Sequence, residues 1–190
     1  MKTQIWAHRG ASAYAPENTL EAFRLAAEMG ADGVELDVQL SRDGELVVAH
    51  DETIDRVSNG TGYIKDYTLA QLKELSFNRL FPAFKDARIP TLLEVYELLK
   101  PAGLTVNVEL KTGIILYPEI EEKVLALTAS MGMEDRVIYS SFCHPSLVRL
   151  KELNSGLKTG LLYSDGWIGA ADYGRRTVGV DALHPALYHM

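Results

Sequence analysis

The chain has 190 residues, 47% hydrophobic and 24% charged, with a formal net charge of −7. That composition is that of a folded globular chain rather than a disordered one, and the length allows one domain with a sizeable core or at most two small ones. The acidic balance disfavours nucleic acid and anionic membranes, and no apolar run reaches the ~18 residues needed to cross a bilayer.

The first predicted strand, 4–8, reads as buried through Ile5, Trp6 and Ala7, then ends in His8-Arg9-Gly10. The N-terminus lacks signal-peptide features, which points to the cytoplasm. Helical spacing of Leu20, Phe23, Ala26 and Ala27 predicts a helix over 17–30, stopped by Gly30. The second strand, "GVELDVQL" at 33–40, alternates: Val34, Leu36 and Val38 share one face, Glu35, Asp37 and Gln39 the other. A third, 46–50, ends in His50-Asp51. Residues 52–90 break the rhythm. They hold the turn signal "SNGTG" and one short helix at 68–76, and read as a small inserted subdomain. A helix over 91–100 begins at Thr91, with Glu94 completing a capping box, and stops at Pro101. "TVNVELK" at 105–111 repeats the parity, with Asn107, Glu109 and Lys111 on the polar face. A helix over 118–132 starts with Pro118 in its first turn. Strands 136–142, 158–163 and 181–184 and a helix over 144–154 complete the alternation. Cys143, the one cysteine, reads as a small half-buried residue. His144 and His189 read as surface residues.

Strands alternating with helices imply parallel βαβ units. In a doubly wound sheet both faces of a central strand are apolar, whereas these strands carry one acidic face. A closed barrel accommodates that, because its active site lies at the C-terminal ends of its strands.

The polar faces suggest chemistry. Glu35 and Asp37 lie roughly 7 Å apart along one strand, and Glu109 matches them on another. Acids so placed either face solvent on an edge strand or share a cation, and an all-oxygen donor set selects one hard divalent ion, Mg2+ or Ca2+. His8 and His50 both end strands; as a pair they can supply a base and an acid. Arg9 and Lys111 bring positive charge suited to phosphate, Lys111 being equally suited to a salt bridge with Glu35 or Glu109. Asp51 either orients His50 or faces water.

"HRG" at 8–10, "PENT" at 16–19, "ELD" at 35–37, "HD" at 50–51, "PTLLEV" at 90–95, "VELK" at 108–111, "SSF" at 140–142 and "LHP" at 183–185 together resemble the glycerophosphodiester phosphodiesterase family. The resemblance implies a (β/α)8 TIM barrel and metal-dependent hydrolysis of small glycerophosphodiesters to sn-glycerol 3-phosphate and an alcohol, in glycerophospholipid catabolism. It implies Glu35, Asp37 and Glu109 as metal ligands, His8 and His50 as the acid/base pair, and Arg9 and Lys111 as phosphate contacts. Glu17 and Asn18 organise the first loop or cap the first helix. Tyr117 and Phe142 line the pocket or pack in loops, and His184 faces the site. Residues 1–190 read as a single barrel domain in which about six of eight barrel strands are present and strands seven and eight are absent; such an incomplete wall reads as a fragment of a longer chain, or else as one that a second copy completes in a homo-oligomer. Two rivals are a phospholipase acting on intact or lyso lipids, against which no membrane-docking helix is found, and a non-catalytic metal- and phosphate-binding protein.

Overall fold

The computed structural model describes residues 3–186, so His189 lies outside the described residues. One sheet contains β1 (Trp6–His8), β2 (Gly33–Leu40), β3 (Leu46–Val48), β4 (Thr105–Leu110), β5 (Val137–Ser141), β6 (Lys158–Tyr163) and β7 (Ala182–Pro185). Six strands run parallel in the order β1-β2-β4-β5-β6-β7, and β3 folds back antiparallel on β2. This is the strand sequence of a (β/α)8 barrel, with six of its strands in the described residues.

The helices α1 (Leu20–Glu28), α2 (Leu69–Glu74), α3 (Leu92–Ala102), α4 (Ile120–Ser130) and α5 (His144–Leu153) follow the predicted order. Alternation along the strands decides where the core lies. Val34, Leu36, Val38, Val106, Val108 and Leu110 are buried, and they share one cluster with Phe23, Val95, Leu99, Val124 and Leu147 of the helices. The opposite face is thereby left for polar side chains.

Local chemistry sets the boundaries. Thr91 and Glu94 form a reciprocal capping box at the start of α3. Pro101 does not end that helix: it lies in the last turn, and Gly103 terminates the helix two residues on, at φ +73°. Nor does Pro118 enter the first turn of α4. Glu119, left-handed at φ +62°, separates it from the helix start at Ile120. Ile5 is not buried but 71% exposed, and Trp6 and Ala7 are half-buried, because among the described residues β1 pairs only with β2. The short helix α6 (Ala170–Asp172) and the π-helical turn Tyr173–Val178 escaped prediction. Gly174 and the β-branched Thr177 and Val178 give that segment no strong helical signature.

Residues 52–90 build a second apolar cluster of Ile54, Ile64, Leu72, Phe77 and Ile89, anchored on Val47 of β3 and on Ala49. That cluster fixes the backbone on which Asp51 and Arg56 stand.

Candidate active site

Register brings the acids together. β1 pairs with β2 so that His8 stands opposite Glu35, and β2 with β4 so that Asp37 stands opposite Glu109. Carboxylate oxygens of Glu35, Asp37 and Glu109 lie within 4.8 Å of one another. Asp37 is fully buried, and its Oδ1 has no hydrogen-bond partner. Burial, aided by the Asp37 and Glu109 charges, pushes the Glu35 carboxyl well above the usual range. Burial and Asp37 also raise Glu109, against the pull of Lys111. An unpartnered buried oxygen among three crowded carboxyls, with oxygen as the only donor type, fits a hard divalent cation.

The neighbouring cations are already engaged. Lys111 Nζ donates to Glu109 Oε1 at 3.0 Å and lies 3.8 Å from Asp37 Oδ1, so its salt bridge places it inside the site. Arg9 follows the last residue of β1 and has φ +58°. On a continued strand it would point away from His8; the left-handed turn brings it round instead. Its Nε lies 3.5 Å from Asp37 Oδ2 without bonding it, and its Nη1 donates to Glu17 Oε1 at 3.1 Å. Its backbone N–H is shared between the carbonyl and the carboxylate of Glu35, at 3.0 Å each.

The two histidines flank this group. His8 Nε2 is 3.8 Å from Glu35 Oε2, and its side chain is largely exposed. Partial burial and the adjacent Arg9 lower its pKa, which favours the neutral imidazole. His50 is close enough for its charge to act on both His8 and Glu109. Its Nδ1 is 2.6 Å from Asp51 Oδ1. Burial alone would raise Asp51, but hydrogen bonds and charge from Arg56 and His50 bring it down to about 2. The ionised carboxylate only accepts, so Nδ1 carries the hydrogen and Nε2 is left free for chemistry.

The remaining candidates divide. Glu17 bridges Arg9 and Arg56. Asn18, left-handed at φ 56°, donates its amide to Asp37 Oδ2 at 2.8 Å, and the cap of α1 is Thr19. Tyr117 is buried and donates to Gln39 Oε1 at 2.9 Å, as a packed residue does. Phe142 is half-exposed just past the end of β5. The ring of His184 lies over Gly160, where an added Cβ would meet it at 2.4 Å. His144 is not a free surface residue. It is half-buried at the start of α5, with its ring nitrogens 3.0 Å from the Tyr173 hydroxyl and 3.1 Å from the Leu162 carbonyl oxygen.

Two contributors were not singled out from sequence. Gln39 donates to the carbonyls of Ala49 at 2.9 Å, His50 at 3.3 Å and Asp51 at 2.7 Å, bracing the histidine arm. Its place on the Glu35–Asp37 face was the available signal. Arg56, which links Glu17 to Asp51, had none: it is a half-exposed cation in a turn-rich stretch.

Comparison with known proteins bears on the family and the fold. A model of the glycerophosphoryl diester phosphodiesterase family matches residues 8–188. A glycerophosphodiester phosphodiesterase of Caldanaerobacter subterraneus subsp. tengcongensis is 48% identical over 191 residues, covering 100% of this chain and 78% of that one. A solved phosphodiesterase of Oleispira antarctica, in complex with the product sn-glycerol-3-phosphate, is 33% identical with a TM-score of 0.84, over 96% of this chain and 74% of that one. A glycerophosphodiester phosphodiesterase of Thermotoga maritima is 34% identical with a TM-score of 0.77, over 97% and 74%.

Proposed function

The chain belongs to the glycerophosphoryl diester phosphodiesterase family, and from that premise we propose that it hydrolyses small glycerophosphodiesters to sn-glycerol 3-phosphate and an alcohol by two-histidine acid/base catalysis. The observation that carries the reading is the cluster of Glu35, Asp37 and Glu109 set between two histidines and two cations. These three acids would hold one Mg2+ or Ca2+, which when bound offsets negative charge on the phosphoryl group. Arg9 and Lys111 bind and orient the anionic phosphate oxygens, the first as a fork, the second as a point charge. One imidazole removes a proton from the attacking hydroxyl, of water or of the neighbouring glycerol, as its oxygen bonds to phosphorus; in the second case water then opens the cyclic phosphate. The other delivers a proton to the leaving alkoxide as its bond to phosphorus breaks. Asp51 keeps His50 in the tautomer whose Nε2 is free to take or to give a proton, whichever of the two steps His50 serves.

We further read 1–190 as one barrel domain with residues 52–90 inserted, serving glycerophospholipid catabolism in the cytoplasm. No helix among the described residues is long and apolar enough to cross a membrane.

The test is an assay of glycerophosphocholine turnover with Mg2+, with Ca2+ and with EDTA. Metal-dependent release of glycerol 3-phosphate is expected. His50→Ala should lower kcat by about 10²–10⁴-fold while leaving metal affinity largely intact. Full activity in that variant removes His50 from the mechanism. Tight binding without release would make the protein a binder, and cleavage of intact phospholipid would make it a phospholipase.

A further inference from the structure

Arg56 is the charged group beside the site that the proposed chemistry leaves unused. Its guanidinium stands between two carboxylates and is bidentate to each. Nε and Nη2 donate to Asp51 at 2.7 and 3.2 Å, and Nη1 and Nη2 donate to Glu17 at 2.7 Å each. Each carboxylate has one further partner, and both partners belong to the site. Glu17 accepts from Arg9, and Asp51 holds His50. Five side chains therefore form one unbroken line, Arg9–Glu17–Arg56–Asp51–His50, across two loops that are distant in sequence. The backbone of Arg56 is itself held, because Ile54 is buried and Val57 half-buried in the second apolar cluster.

We propose that Arg56 is a positioning residue for the reaction: it clamps Glu17 and Asp51, and through them fixes the Arg9 guanidinium and the His50 imidazole relative to each other. The inference rests on the roles proposed above for Arg9 and His50. The geometry asks for arginine, since only a planar fork satisfies two carboxylates at once; an ammonium supplies the charge without the alignment. The plainer alternative is a surface ion pair. Arg56 is 41% exposed in its side chain, and exposed pairs add little stability. A clamp and a surface pair therefore differ in what their loss changes. Misplacing a catalytic group by about 1 Å can cost about 10²-fold in rate, whereas losing a surface pair moves the melting temperature slightly and the chemistry not at all.

The experiment compares wild type, Arg56→Ala, Arg56→Lys and Arg79→Ala. Arg79 donates to the Asp55 carbonyl in the same inserted segment and serves as the control. The readouts are kcat and KM for glycerophosphocholine with Mg2+, the affinity for inorganic phosphate by calorimetry, and the melting temperature. Arg56→Ala should lower kcat by about 10–100-fold and weaken phosphate binding, with a small loss of melting temperature. Arg56→Lys should recover the melting temperature but not kcat, and Arg79→Ala should keep wild-type kcat. Wild-type kcat in Arg56→Ala, or full rescue by Arg56→Lys, overturns the clamp. So does a kcat loss that merely follows the unfolded fraction. If Arg56→Ala does not fold, Arg56→Lys decides alone. If wild type turns over no glycerophosphodiester, the functional reading fails separately. The phosphate affinities then judge the clamp, and equal affinities in wild type and the Arg56 variants, or no binding in wild type, overturn it.

Discussion

Arg9 holds a backbone conformation that arginine seldom adopts, φ +58°, one residue past the end of β1. The strain is offset by its shared N–H bond to Glu35 and by its side chain's contact with Glu17. His8 could end β1 with Arg9 pointing away; this one turned residue puts both in the same place. Asp51 gives the residue scale its pH prediction. Its carboxyl is drawn down from 3.8 to about 2 by Arg56 and His50, against the effect of burial. A carboxyl depressed in the folded state stabilises the fold above its unfolded pKa, and loses that contribution as pH falls through the folded value. Thermal melts should therefore fall between about pH 4 and pH 2, and Asp51→Asn should show a shallower fall over that window. An identical slope in the variant would dissociate Asp51 from the acid limb.

The elements explain how the site is held in place. The turn after β1 and α1 approach so closely that a Cβ on Gly10 would lie 2.7 Å from the Ala22 backbone carbon, and Gly10 also has φ +76°. Gly10→Ala meets both penalties, so it should destabilise the fold by roughly 1–3 kcal/mol, read as a lower urea midpoint; an unchanged midpoint would mean that α1 moves freely against the strand. Periodicity and capping made most elements legible: Thr91 with Glu94 began α3, and the alternation in β2 and β4 gave both strands their extent. Sequence misjudged Pro101 and Pro118 because a proline forbids some positions without dictating which neighbour ends or starts the helix. Here a left-handed Gly103 and Glu119 did that.

At the scale of the molecule, the site exists because β1, β2 and β4 are neighbours in the sheet, although residues 8 to 111 supply it. Three acids crowded at that junction would make a cation a binding partner of the folded state. Saturating Mg2+ or Ca2+ should stabilise the protein by about 2.7 kcal/mol at a hundredfold excess over Kd, seen as a rise in melting temperature. The rise should vanish in Glu109→Gln, and no rise in wild type with either ion would remove the metal from the site. The sequence by itself determined the alternating elements, the barrel class, and the polar face that carries Glu35, Asp37 and Glu109. Those are consequences of side-chain alternation and helix caps, which act over a few residues. Only the tertiary structure decided that Arg9 turns inward, that Gln39 braces the His50 arm, and that Arg56 joins Glu17 to Asp51. Arg56 lies 39 residues from Glu17 in the chain, and a contact of that range depends on strand register and on how the inserted segment packs, for which no local pattern of residues exists.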